Sequence, residues 1–268
     1  MLEYNADTPT GLLEASVIQW FWLQDCFSSA DQFNSIHERL VKKWTELGAY
    51  LTGSPLYVAH VDDQMGEDLM TSTYLRDTAE EAGLKTSGLL IKDIGWDTDG
   101  RRFVDQNGDP LGSVFKLYPW EWMVHEQFGP QMLATYTQVQ WIEPIWKMMF
   151  ANKGMLAILW ELFPGHPNLL KAHIGEPEGM SEYVKKPLLS REGANITLVT
   201  RQGTTETLGD YGEEGYVYQA LAPIPIIDGH RPVIGSWVVD GESAGMGIRE
   251  SDRPITDNQS RFVPHLFE

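Results

Sequence analysis

Residues 183–195 read YVKKPLLSREGAN. An apolar strand start runs into Lys185-Lys186, Pro187 stops it, and Ser190-Arg191-Glu192-Gly193-Ala194-Asn195 turns the chain into a second strand start, Ile196-Thr197-Leu198-Val199. A lysine at a strand end facing a glycine-bearing turn places a cation and backbone N–H groups around a polyphosphate. The same residues also suit an ordinary β-hairpin with a solvated turn, and the segment alone leaves both readings open.

Working outward, apolar periodicity predicts helices over 10–25, 31–47, 68–82, 145–150 and 153–163, and one from 119 or 120 to 128. Phe33, Ile36, Leu40, Val41 and Trp44 share one face of the 31–47 segment, opposite Lys42, Lys43 and Glu46. Thr8 or Thr10 is placed to cap the first helix and Gly83 to end the third. Strands are expected over 56–60, 88–94 and 113–118, a short one ends at 141–144, and 97–108 is a polar hairpin or loop. Pro164-Gly165-His166-Pro167 breaks the chain. Beyond it strands dominate: 183–186, 195–200, 215–219, 233–239 and 244–249. The fold class is therefore α/β (α+β), with helices packed on mixed and antiparallel sheets. The expected domains are 1–144 and 145–268, joined somewhere in 144–175.

The chain has 268 residues, 20 basic and 38 acidic, for a formal net charge of -18. That balance argues against nonspecific binding to nucleic acid or an anionic membrane, and it suits a cationic partner such as a polyamine or a divalent metal. The 42% hydrophobic and 22% charged content is that of a folded globular chain. Cys26 is the single cysteine, so no intrachain disulfide forms, which fits a reducing, cytoplasmic setting. MLEYNADTPT carries neither a basic region nor an apolar run, and 155–163 is too short to span a bilayer and contains Glu161.

Three constellations carry candidate chemistry. Residues 2–7 read as a strand end, which puts Glu3 and Asn5 on one face at i and i+2. Two such oxygen donors suit Mg²⁺, which is usually held by one or two carboxylates plus substrate phosphates; a strand-end pair capping the next helix fits as well. Lys153 at a helix start and Lys186 at a strand end could hold phosphates as point charges, or be solvated surface lysines. Arg249 follows Gly245-Met246-Gly247-Ile248, where glycines admit close backbone approach. Such an arginine can stabilise a phosphoryl transition state, or sit on an edge strand in a surface ion pair. Tyr216-Val217-Tyr218-Gln219 is expected as a strand edge able to receive an adenine. The seven histidines have no zinc-ligand spacing, Ser236 lacks the second glycine of a nucleophile elbow, and no Walker loop or dinucleotide fingerprint occurs.

Read together, EYNADTPT (3–10), FKLYPWEW (115–122), ANK (151–153), LWELFPGHPNLL (159–170), 183–195, GEEGYVYQ (212–219), IGSWV (234–238), 244–250 and RFVPHLF (261–267) resemble the C-terminal synthetase region of the glutathionylspermidine synthase family. The likeness is closest to stand-alone bacterial acid–amine ligases. It implies an ATP-grasp fold and an ATP- and Mg-dependent ligase: ATP phosphorylates a peptide carboxylate, and an amine, such as a polyamine, displaces phosphate from the acyl phosphate. It implies Glu3 and Asn5 as metal ligands and Thr8 as a substrate contact. It implies Lys153, Lys186, Glu192, Gly193, Gln219, Ala220, Leu221, Ala222 and Val233 around ATP, and Arg249 on the transferring phosphoryl group. The Glu67-Asp68 pair would lie near the substrate site. Family members carry an Arg-x-Asp strand just before the Glu-x-Asn segment, and this sequence has none ahead of Glu3. The resemblance therefore leads to the expectation of a missing upstream strand, with an impaired nucleotide- or peptide-binding module as the alternative function. Cys26, in an aromatic helix, matches no amidase nucleophile.

Overall fold

Leu56-Tyr57-Val58-Ala59-His60 forms a strand (β1, Leu56–His60) that is buried at every position. A strand with no exposed face belongs inside a sheet covered on both sides. A computed structural model of the chain, describing residues 1–257 and 259–268, shows that arrangement. The next strands are β2 (Thr86–Leu90), a small hairpin of β3 (Gly95–Asp97) and β4 (Arg102–Val104), β5 (Ser113–Leu117) and β6 (Gln140–Ile142). The order β2-β1-β5-β6 makes a fully parallel four-stranded sheet.

Alternation along β1 and β5 divides the apolar residues between two faces. Leu56, Val58, Phe115 and Leu117 join one cluster with Ile36 and Trp44 from α2 (Ile36–Gly48) and Leu75 and Ala79 from α3 (Glu67–Glu81). Tyr57, Ala59 and Val114 join the other, with Trp120 and Met123 of α4 (Trp120–Met123) and Met132 of α5 (Gly129–Ala134). This unit comprises Asp7–Met148, Ser236–Gly247 and Pro264–Glu268.

Several boundaries differ from expectation. The 10–25 helix opens at Leu12-Leu13, passes through a π-helical turn, Glu14–Ile18, and continues as α1 (Gln19–Cys26). The 31–47 helix begins only at Ile36. Before it, Asp31 and Asn34 form bridges with Phe267 and Gly245, which draws Phe33 out of the helix and leaves it 59% exposed. The glycine at 245 is required here, because a Cβ would lie 2.7 Å from the Phe33 carbonyl oxygen. The 119–128 helix stops at Met123 and the 88–94 strand at Leu90.

The second unit comprises Met1–Ala6, Met149–Gly235 and Ile248–Val263. Its helices are α6 (Lys147–Ala151, which begins just ahead of it) and α7 (Met155–Leu162). Its strands are β7 (Ala172–Ile174), β8 (Tyr183–Pro187), β9 (Thr197–Thr200), β10 (Gly203–Glu206) and β11 (Tyr216–Ala220), all antiparallel in the order β10-β9-β8-β11-β7. Leu156 of α7 packs with Ala172 and Val217 on one face of this sheet. A separate sheet has the order β12 (Arg231–Val239), β13 (Glu242–Ser251), β14 (Arg261–Val263). The strands β12 and β13 are long enough to contribute residues to both units.

Candidate functional site

The opening segment folds as β8, the turn and β9, and it supplies the first of two buried lysines. On β8, Val184 and Lys186 share a face with Val217 and Gln219 of β11, because the register sets Lys186 opposite Val217 and Val184 opposite Gln219. Lys186 is 7% exposed. Its ammonium donates to Gln219 Oε1 at 2.8 Å and to the Leu2 carbonyl at 2.8 Å. Burial pulls its pKa down to about 8; the Glu3 carboxylate opposes this shift and Lys153 adds to it.

Lys153 stands just ahead of α7 and is also 7% exposed. Its ammonium donates to the Ser190 carbonyl at 2.6 Å and lies 3.6 Å from Glu3 Oε2. Its backbone N–H bonds the Leu188 carbonyl at 2.9 Å, tying the helix start to the chain leaving β8. The lysines thus come from different elements and share the field of one carboxylate, Glu3.

The turn between β8 and β9 is held in left-handed backbone, with φ of 58° at Glu192, 69° at Gly193 and 56° at Asn195. Gly193 is also required by contact: a Cβ would lie 2.5 Å from the Thr256 carbonyl oxygen. Thr207 Oγ1 donates to the Gly193 carbonyl at 2.6 Å, and Asn195 Nδ2 bonds the Tyr211 carbonyl. β8 and β9 pair as an antiparallel hairpin, as the plainer reading expects, and its turn is fastened on two sides.

The expectation of a strand edge at 216–219 is corrected. β11 lies between β8 and β7, and both sides of Gln219 are paired, with Val184 and Ala172. Gln219 is 1% exposed, and besides accepting from Lys186 it donates to the Met1 carbonyl at 3.1 Å. Only past Ala220 does the chain leave the sheet, through half-buried Leu221 and Ala222; Val233 is half-buried on β12.

The edge-strand reading of Arg249 is likewise replaced. β13 is the central strand of its sheet and sets Arg249 opposite Phe262. The guanidinium carbon lies 5.1 Å from the Phe262 ring centre, and its Nε is buried without a hydrogen-bond partner.

Residues 1–7 form no strand. The carbonyls of Met1 and Leu2 go to the Gln219 and Lys186 side chains rather than to a partner strand. Glu3 and Asn5 are exposed, and among the described residues no three His, Cys, Asp or Glu converge as a metal cage. Two exposed oxygen donors beside buried lysines fit a Mg²⁺ ion whose remaining ligands are phosphate oxygens and water. Thr8 is buried in the parallel-sheet unit.

In that unit the strand order turns about β1: β2 follows on one side and β5 on the other. The crevice beyond the carboxyl ends of such strands is where open α/β sheets bind ligands. Beyond β1 stand Asp62 and Asp63; Asp63 Oδ2 accepts the Glu67 N–H at 2.8 Å, while its Oδ1 is buried without a partner. The Glu67-Asp68 pair begins α3 at this end. A buried ion pair at the carboxyl end of β5 escaped the sequence reading. Lys116 and Asp7 have fully buried side chains in contact. Lys116 also donates to the Tyr118 carbonyl at 2.8 Å, and Asp7 accepts the Trp120 N–H at 2.6 Å. Burial raises the Asp7 pKa and lowers that of Lys116, each resisted by its partner. The one available signal was a lysine in mid-strand, in Ser113-Val114-Phe115-Lys116-Leu117.

The chain is a mixed α/β fold with a parallel sheet and antiparallel sheets, ATP-grasp-like in class. In agreement, the solved apo structure of a glutathione synthetase-like effector from Globodera pallida matches with a TM-score of 0.51, over 86% of this chain and 60% of that one, at 11% identity, a likeness of fold. The chain belongs to the glutathionylspermidine synthase preATP-grasp family, whose model matches residues 1–268. A Haemophilus influenzae protein named as an acid–amine ligase is 42% identical over 279 residues, spanning 100% of this chain and 70% of that protein. Trypanothione synthetase of Crithidia fasciculata is 28% identical over 289 residues, 97% of this chain and 44% of the relative. The bifunctional glutathionylspermidine synthetase/amidase of Escherichia coli is 25% identical over 288 residues, 98% of this chain and 46% of the relative. The chain thus spans less than half the length of the latter two.

Proposed function

We propose that the chain carries the nucleotide side of an ATP- and Mg-dependent ligase that joins a peptide carboxylate to an amine. The observation that supports this most is the pair of buried lysines, Lys153 and Lys186, sharing one carboxylate, Glu3, in the unit that also holds Arg249. Buried cations are costly unless they have work to do or partners to balance them. A polyphosphate would bring negative charge to both of them.

In this reading the lysines hold the phosphates as point charges, and the 190–195 turn closes over them. The backbone of 220–222, where the chain leaves the sheet, takes the adenine edge. Glu3 and Asn5 hold Mg²⁺, which neutralises phosphate charge when bound. A carboxylate oxygen of the substrate attacks the γ-phosphorus, and the bond to ADP breaks. Arg249 donates to the transferring phosphoryl oxygens. The amine nitrogen then attacks the acyl carbon, the carbon–oxygen bond to phosphate breaks, and the amine gives up a proton. The relatives' names point to a glutathione-like peptide and a polyamine as the substrate classes. Within the parallel-sheet unit, Asp63 and the Glu67-Asp68 pair past the carboxyl end of β1 are the acidic candidates for contact with an amine, while Asp62 pairs with Lys92 at 2.8 Å. The alternative is a nucleotide- or peptide-binding module without turnover.

Calorimetry with ATP and Mg²⁺ tests the nucleotide site. The wild type binds, and Lys186→Ala weakens binding by roughly 10–100-fold, the worth of one charged hydrogen-bond donor. Equal affinity would refute the assignment of Lys186. Phosphate release in the presence of a glutathione-like peptide and a polyamine separates ligase from module: binding without release favours the module.

A further inference from the structure

We infer that the Gln219 side chain is a positioning residue that holds the Lys186 ammonium toward the phosphate site, rather than a contact to the base. This deepens the nucleotide reading above and rests on it. The backbone around Gln219 is fully employed in the sheet, with β8 on one side and β7 on the other. The side chain is 1% exposed and both of its polar ends are engaged, Oε1 by Lys186 and Nε2 by the Met1 carbonyl. A group so enclosed has no free face to offer an adenine. The amine, by contrast, has three donors. Gln219 and the Leu2 carbonyl take two of them at 2.8 Å each, and the third has its direction set by those two. An acceptor amide also stabilises the charged over the neutral amine without adding a charge that would repel phosphate.

The charged groups facing Lys186 are the Glu3 carboxylate and the Met1 amine from the amino-terminal segment and Lys153 from the start of α7. Only Glu3 helps keep it protonated, and Glu3 also stands close to Lys153. The neutral acceptor on β11 is thus the side-chain support of Lys186 beside the Leu2 carbonyl.

The test is the pH dependence of acetic anhydride labelling at Lys186, read by mass spectrometry without nucleotide, in wild type, Gln219→Leu and Gln219→Glu. The wild-type midpoint falls near 8, the leucine variant below it and the glutamate variant above it. In parallel, ATP binding to Gln219→Leu is about tenfold weaker than wild type near the midpoint and recovers on acidification by about two pH units, because the amine is recharged. A merely structural role, or a contact to the base, would weaken binding equally at both pH values and leave the labelling midpoint unmoved; that result overturns the inference. If the leucine variant does not fold, the glutamate variant decides: an unshifted midpoint refutes, an upward shift supports. Labelling needs no nucleotide, so wild-type protein that fails to bind ATP sinks the nucleotide reading and leaves the Gln219–Lys186 result to be judged by the labelling.

Discussion

On the proposed nucleotide reading, Lys186 gives ATP binding a pH dependence of a definite sign. Its pKa in the fold is about 8 against 10.5 for a free lysine. ATP affinity should therefore be flat in mild acid and fall as pH rises through about 8, where the amine loses its charge. Stability moves the other way. The unfolded chain keeps this proton up to the free value while the folded chain has released it, so stability rises between about 8 and 10.5. Calorimetric titrations and thermal melts across that window check both trends, and a parallel change in the two would contradict the assignment. Arg249 makes a different prediction. With its Nε buried and unpartnered, Arg249→Ala should leave ATP affinity within about twofold and lower turnover by roughly 10²–10³, as for other removed transition-state donors. Unchanged turnover in a competent assay would reject its role.

Among the elements, the carboxyl end of β5 and the start of α4 hang on one ion pair. Asp7 and Lys116 are both fully buried, and each has a backbone partner at the strand-to-helix junction. Asp7→Asn leaves a buried ammonium without its counter-charge, at a cost of about 3–5 kcal/mol. An apolar pair, Asp7→Leu with Lys116→Met, should recover much of that. Chemical denaturation of the three proteins settles it: a single substitution costing under about 1 kcal/mol would show that water reaches the pair. Most elements could be read from spacing, because a strand buried on both faces and a helix with an apolar stripe announce themselves. The ends could not. The 31–47 pattern extends the helix to Asp31, but Asp31 spends its backbone on Phe267, and Phe33 and Ser35 spend theirs on Met246 and Ala244, all more than two hundred residues away, and the helix starts at Ile36. The same reason defeats 216–219: whether a strand is an edge depends on what pairs beyond it, here the three residues of β7, too short to stand out in the sequence.

The two units differ in how they are held. The parallel-sheet unit has apolar clusters on both faces of its sheet, whereas the clustered core of the other is Leu156, Ala172 and Val217 with Ala157 and Leu188 packed against it. Stability follows buried apolar area. Backbone amides of β7, β8 and β11 should therefore exchange with solvent faster than those of β1 and β5. Leu156→Ala, costing about 2–5 kcal/mol, should speed the first group and spare the second. Uniform exchange across both groups would contradict this.

The sequence by itself determined the class of fold, the family resemblance, the two lysines and Arg249 as candidates, and the acidic character that suits a cationic partner. These rest on residue type and local spacing, which need no knowledge of distant chain. Only the tertiary structure decided that residues 1–7 are not a strand, that β11 and β13 lie inside their sheets, and that Gln219 serves Lys186. It also decided that Asp7 closes on Lys116. Each of these is a pairing between groups far apart in the chain, and a buried polar group takes whichever partner the fold brings within hydrogen-bond reach.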